Sequence, residues 1–271
     1  MTRQFRHRAG LLAAWLAAGA LGAGCDINVG DGGFNIGLAT SKAVDTWTRT
    51  YTVSEGGSFE VVNGNGAIEA SQGTGPTVEI RAERTAKASS DEAAKALLAK
   101  IEIVETVKPD SVRLETKAPK TFGVGGAEVK YFIKIPPGLS LRARTTNGHV
   151  TLTALTNRVE ASTTNGSVRG EGLAGAVSAE TTNGGITLAL LKLDAGGLRA
   201  ETTNGGVTVE LPADAKADLS AHVTNGSIGL DNLKLEAVGD QSRRHVEGTL
   251  NGGGARVELS TTNGGIHLAG K

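Results

Sequence analysis

Charged side chains recur at fixed phases before an Asn-Gly dipeptide: Arg142 and Arg144, Glu160, Glu180, then Arg199 and Glu201. Carboxylates grouped on one solvent face with calcium or a basic residue are the equipment of polysaccharide cleavage. Here the signs alternate from copy to copy, which suits a solvated face laced with ion pairs worth ~0–1 kcal/mol each. No two Asp residues fall at adjacent outward positions, so a carboxylate cluster is not expected. His149, His222 and His267 lie in separate copies, which argues against a metal site. The loop "PKTFGVGGAEV" (119–129) lacks the Gly-Lys-Ser/Thr ending of a phosphate cradle. No serine-nucleophile motif is present. The sequence therefore nominates no catalytic residue, no metal and no cofactor.

The elements that carry these charges repeat. The corners are Asn147-Gly148, Asn165-Gly166, Asn183-Gly184, Asn204-Gly205, Asn225-Gly226 and Asn263-Gly264, the first five spaced by 18, 18, 21 and 21 residues. "FEVVNGNGAIEA" (59–70) fits the same register on Asn65. Six before each later Asn stand Leu141, Val159, Val177, Leu198, Leu219 and Val257. Four before stand Ala143, Ala161, Ala179, Ala200, Ala221 and Leu259; three after stand Val150, Val168, Ile186, Val207, Ile228 and Ile266. Polar residues separate these columns, so each repeat reads as two half-buried strands around a turn. An antiparallel meander and a parallel solenoid both fit that alternation. The uniform columns favour the solenoid, where equivalent residues stack ~4.8 Å apart and like-on-like ladders support one another. Asn tolerates left-handed backbone angles and Gly adopts them freely, so the pair is expected to turn every corner, with Asn amides bonded along the stack. A further apolar column eight after the Asn (Leu155, Leu173, Leu191, Leu233) predicts a third short side.

Residues 47–135 alternate as well and are interrupted by one helix, "SSDEAAKALLAK" (89–100), with a capping box from Ser89 to Glu92. It is expected to cover part of the core. The predicted β-domain spans 47–271, with N-terminal strands over 47–135 and repeat rungs over 136–271. Ahead of it, "MTRQFRHRAGLLAAWLAAGALGAGC" has a basic start and an apolar stretch shorter than the ~18–20 residues that span a bilayer. Residues 1–24 are expected to be an export signal. "LGAGC" resembles a bacterial lipobox, although Leu21 stands four rather than three before the Cys. Cys25 has no partner for an intrachain disulfide, so lipidation is its expected use. Asp26, by analogy with other lipoproteins, favours an inner-membrane anchor facing the periplasm over the cell surface. Residues 25–46 then read as a lipidated Cys and Gly-rich tether.

The order "FEVVNGNGAIEA", acidic helix, "YFIKIPPGLSLRARTTNGHVTL", TTNG rungs and "GGGARVELSTTNGGIHL" resembles the bacterial putative-adhesin β-strand-repeat domain of unknown function. The resemblance covers about residues 50–270 and implies a right-handed parallel β-solenoid (β-helix-like) at the cell envelope. It implies no catalytic residues.

Composition narrows the function further. With 28 basic and 28 acidic residues, and 25 against 28 once 1–24 are removed, there is no basic field for nucleic acid. Aromatics are only 3% of the chain, so the core must come from Val, Ile, Leu and Ala. The expected role is a non-catalytic envelope lipoprotein, adhesive or scaffolding, meeting an envelope protein or a glycan. The alternatives are an envelope-stress sensor or regulator that binds a membrane protein, and a polysaccharide-acting β-helix enzyme. The small outward residues after each corner, such as Ser167, Gly185 and Gly206, would let a glycan or another sheet lie flat, or would relieve crowding. At the end of the stack, either the polar insertion 231–247 folds across, or residues 257–268 leave an edge for self-association.

Overall fold

Each Asn-Gly corner joins two short strands, and successive corners stack in parallel. The computed structural model describes residues 25–30, 33–38, 40–119, 125–238 and 242–271, the first two stretches as backbone only. The proposed signal 1–24, the Cys25 thiol and part of the Gly-rich loop lie outside the described residues.

Strands before the corners form an eleven-stranded sheet, and strands after them form a ten-stranded sheet. Val159–Asn165 lies between Ser140–Asn147 and Val177–Asn183, parallel to both. Val168–Leu173 lies likewise between Val150–Thr153 and Ile186–Leu190. Neighbouring copies run in the same direction, so the architecture is the parallel solenoid and not the meander. Register joins Leu141, Val159, Val177 and Leu198 in one row and Ala143, Ala161, Ala179 and Ala200 in the next. All eight are buried. Branched side chains alternating with Ala fill the space between the sheets without large rings, and like residues meet like residues along each row.

Space and sequence part company at the far end. Along the stack the corners run Asn65, Asn147, Asn165, Asn183, Asn204, Asn263, Asn225. The rung of Ala255–Asn263 and Ile266–Gly270 is inserted between the Asn204 and Asn225 rungs, parallel to both. This corrects the expectation of a free edge over residues 257–268. Both strands of that rung have neighbours on either side, because the shared column pattern lets it fill a slot between two others. On the eleven-stranded sheet the end is covered by part of the polar insertion, while on the ten-stranded sheet Ile228–Asp231 is the last strand. His245–Leu250 pairs antiparallel with Ala217–Asn225, and Leu235–Ala237 pairs antiparallel with His245–Leu250. Residues 239–241 of that insertion lie outside the described residues.

The near end is built differently. Ser111–Lys117 and Gly126–Ile135 add one more parallel rung outside Ser58–Asn65 and Ile68–Gln72. Beyond it the pairing turns antiparallel, with Glu102–Val107 on one sheet and Val78–Ala88 then Ser41–Tyr51 on the other. The strand Ser41–Tyr51 starts inside the segment read as tether. Cys25–Gly30 pairs antiparallel with Gly33–Leu38 ahead of it. The helix is Asp91–Leu98, shorter than expected at both ends. Its cap is Ser90, not Ser89: the Ser90 Oγ accepts the Ala93 N–H at 3.2 Å, and Asp91 and Glu92 complement the positive helix end. Ala94 is buried, and Leu97 and Leu98 pack on the core.

The eight-after column also needs a correction. Leu155 and Leu173 are buried, but Leu191 is 73% exposed and Leu190 takes the inward place. A register shift between Glu171 and Leu173 sets Leu173 opposite Leu190, with Gly172 at φ 67° between them. One extra residue on the bulged strand changes which side chain faces in.

Candidate functional site: the corner ladder and the two outer faces

Three hydrogen-bond ladders climb the corners. The Asn Nδ2 groups donate to the preceding Asn Oδ1: Asn147 to Asn65 at 2.6 Å, Asn165 to Asn147 at 2.8 Å, and Asn183 to Asn165 at 2.9 Å. Asn204 donates to Asn183 at 2.9 Å, Asn263 to Asn204 at 2.8 Å, and Asn225 to Asn263 at 2.9 Å. Two residues earlier, buried Thr hydroxyls donate to corner Gly carbonyls one rung back, as Thr163 does to Gly148 at 2.9 Å and Thr261 to Gly205 at 2.8 Å. Corner Gly N–H groups donate forward, Gly166 to the Asn183 carbonyl at 3.0 Å. These bonds pair groups that a bend between two sheets would otherwise leave orphaned.

The corner Asn residues are not left-handed, contrary to expectation. Among the described residues the non-Gly positions with positive φ are Ala154, Asn232 and Asn251. Asn is selected for its amide, which both donates and accepts. Gly is required by close approach: a Cβ on Gly148, Gly166, Gly184, Gly205, Gly264 or Gly226 would lie 1.7–2.2 Å from the neighbouring corner Gly carbonyl oxygen.

On the eleven-stranded sheet the outward row runs Arg113, Glu60, Arg142, Glu160, Ser178, Arg199, Glu258. Arg113 meets Glu60 at 2.6 Å, Arg142 meets Glu160 at 2.7 Å, and Arg199 meets Glu258 at 2.9 Å. The Arg142 guanidinium, helped by Arg158, holds the Glu160 carboxyl below the usual range, and each partnered Arg is pushed up by its carboxylate. The alternating signs are ion pairs, as expected, with one exception. Glu180 and Glu201 stand side by side in register, and Glu201 turns to Arg199 at 2.6 Å. His149 sits 3.0 Å from the Ser167 hydroxyl, and His267 lies 3.5 Å from Asp231. His222 meets the His245 ring edge-on, centroids 6.1 Å apart. Among the described residues no three His, Cys, Asp or Glu side chains gather to hold a metal ion.

The ten-stranded sheet carries a feature that the repeat columns did not signal. Across its outer face, near the N-terminal end, register lines up Thr48, Arg81, Phe132, Glu69 and Thr151. The next row holds Thr50, Glu79, Lys134, Ser71 and Thr153. Between them lies an open groove of about 580 Å³. The Arg81 guanidinium lies 3.9 Å above the Phe132 ring. One signal was available: Tyr131, Ile133 and Ile135 face inward in alternation, so Phe132 must face out.

A stack of parallel two-strand rungs with bonded polar corners and charge-paired outer faces defines a β-solenoid repeat protein. The chain belongs to the Toastrack DUF4097 family, whose model matches residues 58–269. It is similar in fold to a putative cell adhesion protein from Clostridium sporogenes, at 14% identity and a TM-score of 0.46, covering 84% of this chain and 100% of that one. It is also similar to a putative adhesin from Bacteroides fragilis, at 16% identity and a TM-score of 0.38, covering 84% and 97%. No curated protein matches it. No helix among the described residues is long and apolar enough to cross a membrane.

Proposed function

We propose that this protein is a non-catalytic adhesive or scaffolding module of the bacterial cell envelope, held at the membrane by a lipid on Cys25. The observation that carries this reading is the unbroken amide ladder through seven corners, from Asn65 to Asn225. A ladder repeated without interruption stiffens the stack along its whole length, and repeat stacks present extended surfaces. A catalytic site would place reactive groups in hydrogen-bond reach of one another around a pocket. The outer charges are instead spent on their own neighbours, as in the Arg142–Glu160 and Arg199–Glu258 pairs. Crosslinking in intact cells, followed by identification of the captured species, tests the role. Envelope proteins or glycans joined to the rungs support it; a chain that captures neither refutes it. Metabolic labelling with a fatty acid tests the anchor: label on the wild type and none on Cys25→Ala supports it, and equal labelling overturns it.

A further inference from the structure

We infer that the groove on the outer face of the ten-stranded sheet binds an uncharged oligosaccharide; this deepens the adhesive reading and rests on it. Phe132 is the aromatic side chain that the described strands turn outward, on a face that is otherwise mostly polar and charged, with Val44, Ala189 and Ala269 as its small aliphatic members. An outward ring offers a flat apolar surface that the fold does not need for its core, and such surfaces commonly mark contact sites. Arg81 stacks on one face of that ring. Its planar guanidinium is held between the ring contact and the Glu83 carboxylate, so its N–H fork is positioned before any ligand arrives.

The surrounding groups fit a polyhydroxylated ligand. Glu69 stands beside Phe132 in register and supplies acceptor oxygens. Thr48, Thr151 and Thr153 border the groove with hydroxyls that both donate and accept. The charges largely cancel: Lys134 lies 3.7 Å from Glu79, and Arg81 pairs with Glu83. A groove whose cations are matched at home offers little net field to an anion, which selects against a phosphorylated or uronic ligand. Its volume of about 580 Å³ is within the range of small-ligand sites, and strands on both rows hold the contacting groups in place.

The test is titration of the isotope-labelled full chain with neutral β-glucan and N-acetylglucosamine oligosaccharides, with oligogalacturonate as the anionic control. The expected result is a shift of amide signals in Ile68–Gln72, Val78–Ala88 and Gly126–Ile135 with a neutral oligosaccharide. Phe132→Ala should weaken binding about tenfold or more. Glu69→Gln, which keeps size and hydrogen-bonding reach, should weaken it by a smaller factor, while Arg158→Ala on the opposite sheet should bind as the wild type does. Absence of neutral binding, shifts mapping elsewhere, unchanged affinity of Phe132→Ala, or tighter binding of oligogalacturonate would each overturn the inference. Failure here is separable from failure of the adhesive role. If no oligosaccharide binds but the partners captured in cells persist with Phe132→Ala, the groove is wrong and the interaction module stands.

Discussion

The repeat stack from Asn147 to Asn225 and the N-terminal end before it bury one continuous interior by different means. The stack holds no aromatic residue after Phe132 and relies on Val, Ile, Leu and Ala rows plus Asn, Thr and Gly ladders. The N-terminal end uses bulk and specific links. Phe59 and Tyr131 are fully buried, and Tyr131 meets the Thr116 hydroxyl at 2.6 Å. Tyr51 bonds Glu105 across the two sheets, and Arg84 clamps Asp45 while reaching the Ile101 carbonyl at 2.8 Å. Repetition removes the need for large side chains because each rung supplies its neighbour's hydrogen-bond partners. Where repetition stops, single residues must close the end.

That contrast is sharpest at the corner glycines. Gly166→Ala should destabilise the chain by about 3 kcal/mol or more, because the new methyl meets a fixed backbone carbonyl and not a mobile side chain. Gly64→Ala, in the same kind of dipeptide but with nothing within 4 Å, should stay within ~0.5 kcal/mol of wild type. Urea unfolding of the pair decides it: equal midpoints would mean that the ladder has slack.

Alkali should act on the N-terminal end. Burial pushes the Tyr131 hydroxyl up to about 12, and burial together with the Glu105 bond raises Tyr51 further. Below the unfolded value of ~10 both states keep the proton; above it the unfolded chain ionises first. Stability should therefore fall as pH rises from ~10 through 12, by up to roughly 2–3 kcal/mol for Tyr131. Hydrogen exchange read along the chain should show protection lost first near Tyr51 and Tyr131, and Tyr51→Phe should blunt the loss. Uniform loss along the stack would contradict the division into two regions.

A smaller effect probes the ladder. Thr181→Val keeps the shape but removes the hydroxyl that donates to the Gly166 carbonyl, and should cost about 1 kcal/mol in thermal unfolding. Val223 already occupies this column at the outermost rung, so the corresponding change there, Val223→Thr, should alter stability less. The smallest effect concerns the face. Glu160→Gln should cost under ~1 kcal/mol near neutrality. The Glu160 carboxyl is depressed when folded, so its contribution is present above the unfolded value of ~4.3 and fades as pH falls through the folded one. Wild type and variant should converge in acid.

Much of the fold was legible because register follows pattern. The rows of Leu141, Val159 and Val177 and of Ala143, Ala161 and Ala179 stand in the sequence itself at a fixed distance from each Asn. Rung order was not legible at the far end. Asn225 and Asn263 carry the same columns, and local sequence holds no information about which sits next to Asn204. The roles within the corner were partly misread, since the propensity of Asn for left-handed angles was outweighed by its use as an amide step. The groove was missed for a topological reason. Arg81, Phe132 and Glu69 belong to three strands that are neighbours in space but not in sequence. A search along the repeats could not bring them together.

The rung at 255–270 acts as a keystone. On a growing chain, residues 217–231 emerge before the segment that must separate them from the Asn204 rung, so zippering from the N-terminus cannot run to completion in order. The outermost rung must wait at a distance or pair wrongly and then yield its place. Final closure is thereby a late, single event made by a segment translated after both of the rungs it separates, and any lesion there would open the pillar from within instead of trimming its tip.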